Sequence, residues 1–341
     1  ESDQPSVAMK TLYTRRGAVF LLLYMIAVVY GSLYPWVFHY NPHAAHLRWL
    51  PLWTSGFLLD FLLNIVFYVP LGAAAFLAFG GGAAGLFFAF AAGFTLSFGV
   101  EQAQRYNAWH VGDYNDILSN SLGTALGAIA AFAWKRAHRH WPALSRRFAP
   151  EGLVLAALWL AWNGFLLLPA MSRHPSQYGD SPPRWMPAVN EVLGIVTVAI
   201  ALRPGVHPMK KALAPLFLLW LAVQELMPFQ WGGRQDFSWL PFEGMLYARP
   251  EISFPLVFGK LFFYTAVVWA MRMRGGGWFW AVLIPLALLA AGEAAQIYIP
   301  DRTPETTDLV LMAGGAFLLW MADRPKTARK TERAGCLVGG N

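Results

Sequence analysis

The chain has 341 residues, 57% of them hydrophobic and 13% charged, a net charge of +7 and one cysteine, Cys336. Soluble domains carry roughly 25% charged residues, so an ordinary soluble domain is excluded, and the basic residues do not form the one patch that nucleic-acid binding asks for. A single thiol also excludes an intramolecular disulfide or a thiolate metal cluster.

In chain order, the residues ahead of Met9 (ESDQPSVA) read as a leader outside the fold, and the first apolar run as a retained span. Apolar runs punctuated by Pro, Gly and charge predict ten membrane spans. They lie near 17–36, 57–79, 84–104, 115–134, 153–170, 188–203, 212–229, 253–271, 278–298 and 307–322. The sixth is short and the eighth carries Lys260. After the first span, FHYNPHAAHLRW brings His39, His43 and His46 close together. Three histidines are zinc-ligand chemistry, but no acidic residue accompanies them, so no metal or other cofactor is assigned. GGGAAG (80–85) lacks the Lys-Ser/Thr of a phosphate loop and reads as a tight turn between the second and third spans.

Lys and Arg concentrate in cytoplasmic loops. With the N-terminus inside, TRR (14–16), KRAHRH (135–140), SRR (145–147), RPGVHPMKK (203–211), RMR (272–274) and RPKTARK (324–330) all fall on the inner side. That sets both termini in the cytoplasm, and topology accounts for the basic loops without any nucleic acid. The acids do the reverse. Apart from Glu1, Asp3, Glu151, Asp323 and Glu332, they lie in outer loops or outer halves of spans. Solubility explains Asp180 or Asp236. It does not explain Asp60, Glu101, Glu191, Glu225 and Glu293, which sit in or against apolar runs. An ionised group at a helix centre costs about 2.5–3.5 kcal/mol on insertion scales, so such groups ordinarily face a cavity or a partner.

The motif region is written twice. EQAQRYNAWHVGDYNDILSNSLG (101–123) aligns with EAAQIYIPDRTPETTDLVLMAGG (293–315) at one offset, 293 − 101 = 192, without a gap. Glu101 matches Glu293, Gln104 matches Gln296, Tyr106 matches Tyr298, Asp113 matches Glu305, Asp116 matches Asp308, and Gly123 matches Gly315. Upstream, WLP (49–51) echoes WLP (239–241), and NIVFYV (64–69) echoes KLFFYT (260–265). The expected fold is therefore an all-α polytopic membrane protein of about ten transmembrane helices. Two parallel four-helix repeats, 9–135 and 212–322, are joined by a helix pair (136–211) and followed by a basic tail (323–341). A pseudo-twofold axis along the membrane normal would put both motif loops on the outer side, lining one pocket.

E-x-x-Q, a short loop with basic and acidic residues, then D-x-x-x-N-x-x-G entering a helix resembles the VanZ-like membrane family. NIVFYVPLG (64–72) is similar to that family's Asn-containing helix. The resemblance covers roughly 45–130 and again 235–320. Each copy departs from the pattern: His110 stands where the family usually has arginine, which Arg302 keeps. Glu305 replaces the loop aspartate, Met312 stands where Asn120 keeps the asparagine, and Lys260 stands where Asn64 does.

Glu and Gln three apart project from one helix face. Asp116, Asn120, Gly123 and Gly127 share a face of the fourth span, and the glycines would bring it close to the third. Asp116 and Asp308 read either as site carboxylates at a helix N-terminus or as N-caps, and Glu293 with Arg302 as site groups or a buried ion pair. Seven ionisable groups (Glu101, Asp113, Asp116, Glu293, Arg302, Glu305 and Asp308), with Lys260 and Asp60 beneath, exceed what two caps require. As a site this is carboxylate chemistry: Glu101 and Glu293 as acid/base groups, assisted by Asp116 and Asp308. Gln104, Gln296, His110, Arg302, Asp113, Glu305, Asn64 and Asn120 would orient substrate. Trp36, Trp49, Trp53, Trp109, Trp185, Trp231 and Trp239 fit sugar stacking, or equally an interfacial aromatic belt.

The resemblance implies a role in the bacterial envelope and in glycopeptide resistance. The first expectation is an inner-membrane protein whose outward pocket binds an envelope glycan or polyprenyl-linked glycan within the lipid, and cleaves or modifies it in the manner of a glycoside hydrolase. A non-catalytic factor that binds a wall precursor or a glycopeptide antibiotic is the alternative. A transporter of an envelope metabolite, using Lys260, Asp60 and Glu225, is the third.

Overall fold

A computed structural model describes residues 7–39, 47, 55–107, 109–110, 112–140, 148–166, 185–204, 208–247, 250–275, 277–300 and 302–323. Among them the regular structure is helical, with only isolated bridges at Phe38–Asn107 and Ser238–Glu305. The chain divides into two compact units, residues 1–142 and 143–341.

The first unit holds α1 (Val7–Leu33), α2 (Ser55–Ala78), α3 (Gly82–Gln104) and α4 (Tyr114–His140). Helix α2 packs on the other three, most extensively on α4. Glycine permits that contact. A Cβ on Gly72 would stand 1.9 Å from the Thr124 carbonyl oxygen, and one on Gly127 the same distance from that of Val69. One on Gly123 would meet the Ile65 oxygen at 2.3 Å. The face of α4 carrying Gly123 and Gly127 was expected against the third span, and it lies instead on α2. The α3 contact is made by Gly93, whose missing Cβ admits the Thr124 side chain. Leu71, Ala75, Phe76, Ala89 and Ala128 fill the core. Gly80, Gly81 and Gly82, with φ of 81°, 76° and 85°, turn the chain between α2 and α3 as their run predicted.

The second unit holds α5 (Pro150–Leu166), α6 (Trp185–Ala201), α7 (Pro208–Leu226), the short α8 (Glu243–Tyr247), α9 (Pro250–Met273), α10 (Trp278–Gln296) and α11 (Thr307–Ala322). Helix α9 is its centre. Its stretch from Phe262 to Ala270, apolar on all sides but for Thr265, is buried without interruption, and α5, α7, α10 and α11 all pack on it.

Ten spans were expected from the sequence, and the described residues bear out six of them as helices of spanning length: Thr14–Leu33, Leu58–Ala78, Gly82–Gln104, Tyr114–Ala137, Ser253–Met273 and Trp278–Gln296. Helices α6 and α11 are apolar but have 17 and 16 residues. At 1.5 Å per residue, such helices reach about 25 Å, short of the roughly 30 Å hydrocarbon core.

Candidate functional site

In the first unit, three helices each contribute two polar residues four apart, and so on one face. These are Asn64 and Tyr68 from α2, Ser97 and Glu101 from α3, and Asp116 and Asn120 from α4. Asn64 Nδ2 donates to Asp116 Oδ1 (2.9 Å), and Asn120 Nδ2 donates to Ser97 Oγ (3.0 Å). Glu101, only 2% exposed, accepts the backbone N–H of Asp113 at 2.8 Å and so holds the loop between α3 and α4. Asp113 caps α4: its Oδ1 accepts the amide of Asn115 (2.9 Å) and that residue's side-chain Nδ2 (3.0 Å). Asp116 is the third residue of the helix, engaged by Asn64, and is not the cap. Gln104 donates to the Ser32 carbonyl (2.8 Å), Asn107 to that of Leu33 (2.6 Å), and His110 Nε2–H to that of Tyr34 (2.8 Å). These bonds tie the loop to the end of α1.

The second unit repeats the plan with different groups. Glu293 accepts the amide of Glu305 at 2.9 Å, the counterpart of Glu101 with Asp113. Lys260 Nζ reaches both oxygens of Asp308, at 2.6 and 2.8 Å, where Asn64 meets Asp116. Arg302 donates to the carbonyls of Gln224 and Glu225, as His110 does to Tyr34. It is therefore a tie to the end of α7 and not the ion-pair partner of Glu293. Gln296 Nε2 donates to Glu225 Oε2 at 2.6 Å, where Gln104 takes a backbone carbonyl. Gly292 leaves room for this, since a Cβ there would meet the Glu225 side chain at 2.8 Å.

Glu225, Glu293 and Asp308 can bring carboxylate oxygens within 4.8 Å of one another, all from buried residues. Such oxygens could hold a hard cation, but Lys260 already places an ammonium on Asp308 and Gln296 an amide on Glu225. Glu225 stood out in the sequence as an acid in an apolar run, yet its place in this cluster depends on α7 meeting α10. Tyr68, Ser97 and Tyr264, whose hydroxyl hydrogen-bonds Asp308, were missed entirely, because such residues carry no charge to betray them. Glu305, outside the spans, has its carboxyl pushed up from the ordinary range. Burial is the main cause, opposed by its hydrogen bond with Thr307 and by Lys260.

Other expected residues are exposed. Asp60 lies on α2 one turn before Asn64 and acts electrostatically on Asp116, and Trp109 is 68% exposed on its loop. Trp36, Trp185, Trp231 and Trp239 are also exposed. His39 gives its amide to the Tyr106 carbonyl (2.9 Å), while His43, His46, Trp49 and Trp53 lie outside the described residues.

Beside the polar cluster runs an apolar groove of about 620 Å³ between α1 and α3, lined by Met25, Val29, Leu33, Phe88, Leu96 and Val100 among others. No curated protein and no solved structure matches the chain. The VanZ/LLP1 family model matches residues 18–135. That segment spans α2 and α3 and most of α1 and α4, with the whole polar cluster among them, so the first unit is similar to VanZ-like membrane proteins.

Proposed function

We propose that the protein binds an amphiphilic envelope molecule, a lipid-linked glycan, with its hydrocarbon in the α1–α3 groove and its hydroxyl-rich head at the carboxylate end of the same unit. The groove carries this reading. It is apolar along its length and finishes at Leu33 and Val100, next in the chain to the residues whose neighbours Glu101, Gln104 and His110 hold the loop. Exposed Trp109 offers a flat face for a sugar ring on the loop that those residues hold. The basic loops support a head-group end on the outer side of the inner membrane. The hydrogen-bond plan that recurs in the second unit supports descent from a duplicated four-helix unit, with roles divided between the copies.

Binding fits the geometry better than cleavage. A glycosidase needs two carboxyls open to the scissile bond, whereas Glu101 and Glu293 are both buried and spend an oxygen on a loop amide.

Native mass spectrometry of the detergent-purified chain with polyprenyl-linked glycans tests the reading. The wild type should carry a ligand adduct. Gly99→Phe should lose it, because Gly99 lines the groove and a Cβ there meets nothing within 4 Å, so the ring fills the groove without breaking the fold. No adduct, or one unaffected by Gly99→Phe, overturns the proposal. An adduct with a lipoglycopeptide alone would make this a drug-binding factor, and a product lost in Glu101→Gln would make it an enzyme.

A further inference from the structure

The second unit has a cavity at the end opposite the Glu293–Asp308 cluster. Helices α5, α7 and α10 begin there, and α9 and α11 end there. The cavity has a volume of about 380 Å³, within the roughly 300–1,000 Å³ of small-ligand sites. Its wall carries both signs of charge, Lys211 and Arg272 against Glu151 and Asp323, beside the rings of Trp269 and Trp278. On the topology expected from the basic loops, this end meets the cytoplasmic face of the membrane, where lipid head groups lie.

Two features point to a ligand. Trp269 is 1% exposed, and its indole N–H has no acceptor among the described residues. Buried donors are ordinarily satisfied, so one left over in a cavity wall calls for an acceptor from outside the chain. The second feature is a guanidinium held in place. Arg272 lies 4.5 Å from the Trp278 ring centroid and reaches Asp323 Oδ2 at 3.4 Å. The same oxygen accepts Trp278 Nε1–H at 3.2 Å. A cation fixed in this way has little freedom to lose on meeting an anion. Trp269 and Arg272 are three apart on α9 and so share a face. Next to them the buried Lys210 ammonium donates to the Arg203 carbonyl (2.7 Å) and stands 5.9 Å from the Trp269 ring centroid. The surroundings of Trp269 are therefore electropositive.

We propose that this cavity binds the head group of a zwitterionic aminophospholipid. Its phosphate accepts the Trp269 N–H and faces Arg272 and Lys211, while its primary ammonium meets Glu151. An anion alone would be repelled by two acids, and an ammonium alone would leave the Trp269 donor unmet. A head group with both charges answers each. The cavity belongs to the second unit, so the inference stands apart from the groove of the first.

The test uses the full delipidated chain in detergent. Short-chain phosphatidylethanolamine, phosphatidylcholine and phosphatidylglycerol are titrated separately against Tm, and retained lipid is read by native mass spectrometry. Phosphatidylethanolamine should raise Tm saturably with the lowest midpoint. Trp269→Phe removes the donor and should raise that midpoint roughly three- to tenfold. Lys211→Gln, at an exposed position, should weaken all three lipids. Glu151→Gln should weaken phosphatidylethanolamine and leave phosphatidylglycerol as tight or tighter. These two variants keep the test decisive should Trp269→Phe fail to fold. Phosphatidylglycerol or phosphatidylcholine binding at least as tightly as phosphatidylethanolamine overturns the proposal, as does a midpoint unmoved in Lys211→Gln and Glu151→Gln. Glycerophosphoethanolamine, which lacks the acyl chains, should bind more weakly. Equal affinity would make the ligand a soluble phosphoester and overturn the lipid assignment.

Discussion

Lys260 and Asp308 are the strongest pair in the second unit, and their unequal burial decides what breaking them does. Asp308 is 4% exposed and Lys260 31% exposed at the side chain. Lys260→Ala therefore strands a buried carboxylate near Glu225 and Glu293, at a cost of about 3–5 kcal/mol. Lys260→Ala combined with Asp308→Asn should recover much of the loss, which a double-mutant cycle in thermal unfolding would read. The reverse ordering, with the double variant worse than the single, would mean that the ammonium serves the other acids. Glu305 yields a pH prediction of defined sign. Its folded-state pKa is raised by burial, so it favours folding below its ordinary unfolded value of about 4.3 and loses that contribution as pH rises through the folded value. The wild type should fall in Tm relative to Glu305→Gln between acid and neutral pH. A difference constant with pH would show that Glu305 is not buried in solution.

At the scale of helices, the α2–α4 contact rests on backbone touching backbone. Gly127→Leu drives a side chain into the Val69 carbonyl, where neither helix can yield without separating. Its cost should exceed the 1–3 kcal/mol, roughly, of ordinary overpacking and abolish the folded monomer in size-exclusion chromatography. Gly99→Ala on α3 faces open space and should run as wild type. Losing the α2–α4 contact would also part Asn64 from Asp116. The α3–α4 and α10–α11 loops show how a short polar segment is given one shape. A buried Glu one turn before the helix end takes the amide of the residue at i+12, Asp113 or Glu305. That acceptor satisfies a backbone donor that would otherwise be buried unpaired.

For the whole molecule, the charge distribution makes the testable statement. The topology proposed from the basic loops would put the single cysteine, Cys336, on the cytoplasmic side. A membrane-impermeant maleimide should label it in inverted vesicles and leave it unlabelled in intact spheroplasts, and labelling in both or in spheroplasts alone would reverse the topology. The two units differ in how they meet the helix-start aspartate: Asn64 donates to Asp116 in the first, and Lys260 pairs with Asp308 in the second.

The sequence by itself determined the helical membrane class and where its apolar helices lie, because apolar run length is a one-dimensional property. It also marked Glu101, Asp113, Asp116, Glu293, Glu305 and Asp308, since charge in an apolar run is conspicuous. Only the tertiary structure decided what those groups do. Asp113 and not Asp116 caps α4, Arg302 grips α7 carbonyls and not Glu293, and Gly123 and Gly127 face α2 and not α3. Each of these outcomes depends on which helix lies beside which, and periodicity fixes the face of a helix but not its neighbour. Tyr68, Ser97 and Tyr264 joined the site for the same reason: uncharged residues on apolar helices acquire a polar role only when three helices bring their oxygens together.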